Sequence, residues 1–156
     1  MMNRIPITRE GYERLRKELE QLRQVERPQN IKAIEEARAH GDISENAEFH
    51  AAKERQSFIE GRIRDLEHKM SMMEIIESQK FSGTKVVFGC TVLVENLDTG
   101  EQVKYQLVGP DESDVKQGRL SVTSPLGKAL IGREVGDVFQ IQTPGGLREY
   151  ELIDIL

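Results

Sequence analysis

Apolar residues recur through the first half of the chain at the spacing of a packed helix. Tyr12, Leu15, Leu19 and Leu22 follow one another in steps of three, four and three, which is the spacing of a coiled-coil seam. Thr8 stands ahead of them as a good N-cap, and Gly11 weakens the first turn. Arg14, Arg16, Lys17, Glu18 and Glu20 cover the other faces. Arg27-Pro28 predicts an irregularity, because proline lacks an amide hydrogen and restricts the residue before it. The helical pattern resumes at Ile31, Ile34 and Ala37 and stops at Gly41. Ala47, Ala51 and Ala52 open a second helix, with a seam of Ile59, Ile63, Leu66, Met70 and Met73 that fades near Ser78-Gln79. Two polar helices with one apolar stripe each, close in sequence, bury those stripes on each other. The prediction is an antiparallel hairpin with arms of about 30 residues, each about 45 Å long.

Past Phe81-Ser82-Gly83-Thr84 the period changes, which predicts two domains, 1–79 and 80–156. Val86 to Val94 reads as a strand containing Cys90, and Asn96 to Gly100 as a turn. Val103, Tyr105 and Leu107 form the returning strand. A short helical turn is expected within Asp111–Val115 and a short strand at Leu120–Val122. Ser124-Pro125 followed by Gly132 marks a short helix, with Ser as cap and Pro in the first turn. Val138–Thr143 and Arg148–Leu156 are two further strands around the Pro144-Gly145-Gly146 turn. The fold class is α+β: a long helical coiled-coil hairpin followed by a small, mainly antiparallel β domain.

Composition narrows the function. Charged residues make up 31% of the chain and aromatics 5%, with no Trp, which suits long polar helices. The net charge of −5 argues against sequence-blind binding of nucleic acid. No basic half hides behind that figure, since residues 1–78 hold 14 basic against 16 acidic side chains. Cys90 is the single cysteine, so an internal disulfide and a multi-cysteine metal site are excluded. A cytoplasmic location is expected, because the N-terminus lacks a signal-like apolar core and no apolar run approaches a membrane span.

The candidate chemistry sits where the two helices meet, in His40-Gly41-Asp42-Ile43-Ser44-Glu45-Asn46. Asp42 and Glu45 have the spacing of a capping-box variant, and Ser44 is an alternative cap. From spacing alone, starting a helix is the better account of these residues. A long rod ending in two carboxylates also suits Mg²⁺, a hard cation often held by one or two carboxylates with other ligands completing its shell. Two such groups bind it weakly, so the tip would complete a site belonging to a partner. His40 and His50 invite a hydrolytic metal site with Asp42 or Glu48, but their spacing matches no familiar zinc motif. Arg38, Lys53 and Arg55 read either as solvated helix charges or as contacts to the phosphates of one RNA strand.

The stretch from Arg38 through His40-Gly41-Asp42-Ile43-Ser44-Glu45-Asn46-Ala47-Glu48-Phe49-His50 to Glu54 resembles the tip of the bacterial Gre transcript-cleavage factors, and is closest to the GreA branch. The segment from Ser124 to Gly146 resembles their C-terminal domain, which is similar to the FK506-binding prolyl isomerases. The family implies a coiled-coil finger that enters the secondary channel of RNA polymerase, and a globular domain that docks at the channel rim near Ser124-Pro125. It implies stimulated cleavage of backtracked RNA, with Asp42 and Glu45 as tip acids sharing a loosely bound Mg²⁺ with the polymerase and Ser44 assisting. It also implies Arg38, Lys53 and Arg55 as a basic patch near the nascent RNA 3′ end. The factor would be a monomeric accessory protein rather than an enzyme, with no stable cofactor of its own and DNA met only through the elongation complex. Phe49 departs from the family's usual Tyr and puts any role for a hydroxyl in doubt.

Rival readings are a channel binder without cleavage activity, whose relatives carry a more acidic tip, and a free-standing metallohydrolase or prolyl isomerase. An isomerase pocket of that type is lined with aromatics, and past the Phe81 boundary Phe88, Tyr105, Phe139 and Tyr150 are the whole supply in this half.

Overall fold

The computed structural model describes residues 4–41, 46–77 and 84–156. It divides into two compact units, Tyr12–Met72 on one side and Met1–Gly11 with Met73–Leu156 on the other. The expected boundary at 79/80 lies outside the described residues.

The helical unit is built from α1 (Arg9–Gln21), a π-helical turn (Leu22–Glu26), α2 (Arg27–Ala39) and α3 (Ala47–Ser71). Glu18 pairs with Arg62, Glu26 with Arg55, and Asn30 with the Ala52 carbonyl. Numbers that rise along one arm fall along the other, so the arms run antiparallel. Leu19, Leu22, Ile59, Ile63 and Leu66 form the buried seam, with Leu15 and Met70 packed against it.

The expected irregularity at Pro28 takes the form of a wide turn rather than a break. Arg27 keeps helical angles and donates its N–H to the carbonyl of Leu22, five residues back. That turn adds one residue to the first arm and advances the seam by one. Past it the buried positions are Asn30, Ile34 and Ala37, while Ile31, expected in the seam, is 45% exposed. A polar side chain therefore occupies a seam position. Asn30 meets the cost by donating Nδ2–H to the Ala52 carbonyl at 3.0 Å. Beyond Asn30 the seam holds only Ile34, Ala37 and Ala52 as buried apolar residues among the described ones.

α3 ends at Ser71, earlier than its pattern suggested, and Met73 belongs to a strand. β2 (Met73–Ile75) pairs in parallel with β1 (Ile5–Ile7). Three-residue strands are too short to show a period, and this small sheet was not legible in the sequence.

The main sheet has the order β5-β4-β3-β7-β6. Its strands are β3 (Thr91–Asn96), β4 (Gln102–Val108), β5 (Arg119–Ser121), β6 (Val138–Thr143) and β7 (Gly146–Ile155). All pairings are antiparallel except β4 with β5. α4 (Pro125–Leu130) contributes Leu126 and Leu130 to a core with Val92, Val94, Leu107, Leu120, Phe139, Ile141 and Leu152. The strand expected from Val86 begins only at Thr91. Cys90 lies just outside it, half-buried against the core.

Glu112 is a buried acid in the Pro110–Glu112 turn. Its carboxylate accepts the Thr8 N–H at 3.1 Å, the Thr8 hydroxyl at 3.0 Å and the Gly109 N–H at 3.2 Å. Thr8 Oγ1 in turn accepts the Gly11 N–H at 3.0 Å and caps α1 as expected. Among the described residues no helix is long and apolar enough to cross a membrane.

Candidate functional site

The two arms of the hairpin end at described residues on either side of the acidic segment. α2 closes with His40 and Gly41 donating to the carbonyls of Ala37 and Arg38, each at 3.2 Å. Gly41 has φ of +106°, a left-handed conformation that side chains with a Cβ resist. Asp42, Ser44 and Glu45 lie outside the described residues.

α3 starts at Ala47, and its N-cap is Asn46, with φ −89° and ψ 97°. Asn46 Oδ1 accepts the Phe49 N–H at 3.0 Å, and Nδ2 donates to the Ala37 carbonyl at 2.7 Å. The cap expected at Asp42 or Ser44 is therefore provided by Asn46. Asn46 was not among the two caps expected from the sequence. Asparagine is among the strongest N-caps, and that signal was available in the sequence.

Phe49 sits beside this junction. Its ring lies 6.0 Å from the Arg38 guanidinium carbon and 5.8 Å from the His50 ring, edge to face. These contacts use the face and edge of the ring and need no hydroxyl. Arg38 thus lies over Phe49 at the end of α2.

Lys53 and Arg55 sit about 10 and 13 Å further along α3. Lys53 donates to Gln56 at 3.1 Å, and Arg55 pairs with Glu26 at 2.6 Å. The three basic residues do not form one cluster, and Arg55 is engaged across the hairpin.

His40, Asn46, Ala47 and Glu48 line an open concavity at the same end. Among the described residues no group of three or more His, Cys, Asp or Glu side chains is placed to hold a metal ion. The ion pairs nearer the middle of the hairpin have clear electrostatic signatures. The Arg27 guanidinium, bonded to Glu60 at 2.7 and 2.8 Å, holds that carboxyl below its usual range. Glu18 likewise raises Arg62.

In the sheet unit, Ser124 caps α4. Its hydroxyl donates to the Ser121 carbonyl at 2.6 Å and accepts the Gly127 N–H at 3.1 Å, and Pro125 takes the first helical position. Tyr105 and Tyr150 line a shallow concavity with Val94, Asn96, Glu101 and Val103. Phe139 lies in the core, stacked on Tyr150 at 6.1 Å. Among the described residues, Tyr105 and Tyr150 line that concavity while Phe139 packs in the core.

Known proteins add a sequence match to this geometry. Residues 5–75 match the family model "Transcription elongation factor, N-terminal", and residues 81–156 match "Transcription elongation factor, GreA/GreB, C-term". The chain belongs to the GreA/GreB family of transcription elongation factors. Relatives named transcription elongation factor GreA, from Thermodesulfovibrio yellowstonii and Neisseria meningitidis, are each 56% identical over 155 residues, covering 99% of this chain and 98% of theirs. A solved structure of GreA factor homolog 1 from Thermus thermophilus is 35% identical, covering 98% of this chain and 99% of that one, with a TM-score of 0.42. This GreA-branch chain has a helical hairpin and a small β domain.

Proposed function

We propose that this GreA/GreB-family chain is an accessory factor that stimulates RNA polymerase to cleave backtracked RNA, without being a nuclease itself. The observation that carries the reading is the place of Asp42-Ile43-Ser44-Glu45. In sequence it falls between the end of α2 and the start of α3, in a chain that matches GreA-named relatives end to end. Asp42 and Glu45 supply hard oxygen donors at the end of a helix pair whose second arm alone is about 37 Å long. A Mg²⁺ ion shared with the polymerase would supply a polarised water and charge stabilisation at the scissile phosphate. Asp42 helps hold that shared site, Glu45 orients or deprotonates the attacking water, and Ser44 assists orientation.

Arg38 is held beside Phe49 at the same end, where a guanidinium faces the extruded RNA strand. Arg55 must exchange Glu26 for a phosphate to join it, and Lys53 exchanges only a neutral partner. The β domain docks on the polymerase through the surface around Ser124-Pro125, and the factor works as a monomer.

Stalled, backtracked elongation complexes with Mg²⁺ test this. Wild type shortens the RNA rapidly. Asp42→Asn and Glu45→Gln bind the polymerase but leave the RNA intact. Cleavage by both variants at the wild-type rate would overturn the tip mechanism, and RNA loss without polymerase would make the chain a nuclease.

A further inference from the structure

One side chain ties the ends of the two arms together. Capping α3 requires only that Asn46 present an acceptor to the Phe49 N–H, which its Oδ1 does at 3.0 Å. A serine or an aspartate caps a helix about as well. The second bond, from Nδ2 to the Ala37 carbonyl in the last turn of α2 at 2.7 Å, does nothing for α3. It needs a donor on the same side chain, which an ionised aspartate lacks. A serine hydroxyl can donate while it caps, as Ser124 does for α4, but its one oxygen lies a bond nearer the backbone than the Asn46 Nδ2. A neutral amide carries both groups in one plane, an acceptor for one helix and a donor for the other.

The apolar seam is a weak substitute at this end. The buried Leu and Ile cluster belongs to Leu19, Leu22, Ile59, Ile63 and Leu66, whereas the positions facing the reversal are Ile34, Ala37 and Ala52. Alanines bury little area, so packing at this end contributes less than the Leu and Ile cluster does. The amide bond adds a directional constraint between Ala37 and Asn46. It thereby sets where the chain leaves α2 and where it enters α3.

We propose that Asn46 is a positioning residue for transcript cleavage, acting by clasping the two helix ends that flank the segment carrying Asp42 and Glu45. This rests on the reading of those carboxylates as the working groups. Asn46 touches no reacting atom. Its effect is on the rate reached once the factor is bound, because misplacement of catalytic groups by about 1 Å can cost about a hundredfold in rate.

The test compares full-length wild type with Asn46→Asp, which keeps the cap acceptor and has no donor for the clasp, and with Asn46→Ser, which keeps the acceptor and a shorter donor. Three quantities are read: the cleavage rate at saturating factor, the half-saturating factor concentration, and hydrogen exchange of the Phe49 amide. Both variants are expected to keep Phe49 protected and to bind with unchanged half-saturation, while the saturating rate falls at least about tenfold. Two outcomes overturn the inference alone: wild-type rates in Asn46→Asp, or a rate loss matched by lost Phe49 protection and weaker binding, which is a merely structural defect. If wild type itself fails to shorten the RNA, the functional reading falls and this inference falls with it.

Discussion

Gly11 lies directly against the Glu112 carboxylate: a Cβ built on Gly11 would stand 1.7 Å from Glu112 Oε2. Glycine in a first helical turn is ordinarily a weakness, and its replacement by alanine ordinarily stabilises by up to about 1 kcal/mol. Here the sign reverses. The obstructing group cannot swing aside freely, because it accepts hydrogen bonds from Thr8 and Gly109. Gly11→Ala is expected to destabilise the sheet unit by about 1–3 kcal/mol, the usual cost of overpacking, read as a lower midpoint in urea. A midpoint at or above wild type would show that Glu112 relocates without cost.

Asn30 gives the opposite expectation for a buried polar group. Its amide sits in the apolar seam and donates to the Ala52 carbonyl, an oxygen that also serves the helix bond four residues on. Asn30→Leu therefore leaves no buried acceptor orphaned, and it gains apolar burial. Single asparagines in coiled-coil seams set register at a cost in stability. The variant is expected to gain about 1 kcal/mol in urea unfolding followed by helical circular dichroism. A loss of stability instead would mean that the hydrogen bond outweighs its desolvation.

The Arg27–Glu60 pair predicts a modest acid sensitivity. Hydrogen bonding from Arg27 lowers the Glu60 pKa in the folded chain. Its contribution is therefore present above the unfolded carboxylate value, about 4.3, and disappears as pH falls through the lower folded value. Both side chains are more than a third exposed, so the contribution is small and screened by salt. The stability difference between wild type and Glu60→Gln should shrink at high salt and vanish at strongly acidic pH. A difference that persists in acid would point to packing by the glutamate stem instead.

Burial pushes the Cys90 thiol upward, against weaker opposing bonds from the backbone. The neutral thiol is the form the fold favours. Its contribution is complete below the unfolded value of about 8.5 and is lost as pH rises through the raised folded value. Alkylation by iodoacetamide near pH 8 is expected to be at least about tenfold slower in the native chain than in urea. Equal rates would show that Cys90 is open to solvent.

The hairpin was readable because its signal is periodic and local. Leu15, Leu19 and Leu22 on one arm and Ile59, Ile63 and Leu66 on the other advertise their shared seam by spacing alone. The strands after Thr91, the Ser124 cap and the Thr8 cap were legible for the same reason, since each depends on residues within a few positions. The ends of both arms were equally plain, because one pattern stops at Gly41 and the next opens at Ala47.

Other features depended on contacts that sequence distance conceals. Ile31 looked like a seam residue until the π-helical turn at Leu22–Glu26 advanced the phase by one and buried Asn30 in its place. Asn46, not Asp42 or Ser44, caps α3, and its amide also reaches the Ala37 carbonyl, nine residues back on the other arm. Glu112 resembles any surface acid in a polar loop, and is buried because Thr8 reaches it from 104 residues away. Periodicity and local caps specify which segments become helices and strands, because they act through neighbours along the chain. Only the packed structure decides which polar side chains become buried links between those segments, because their hydrogen-bond partners are supplied by elements remote in sequence.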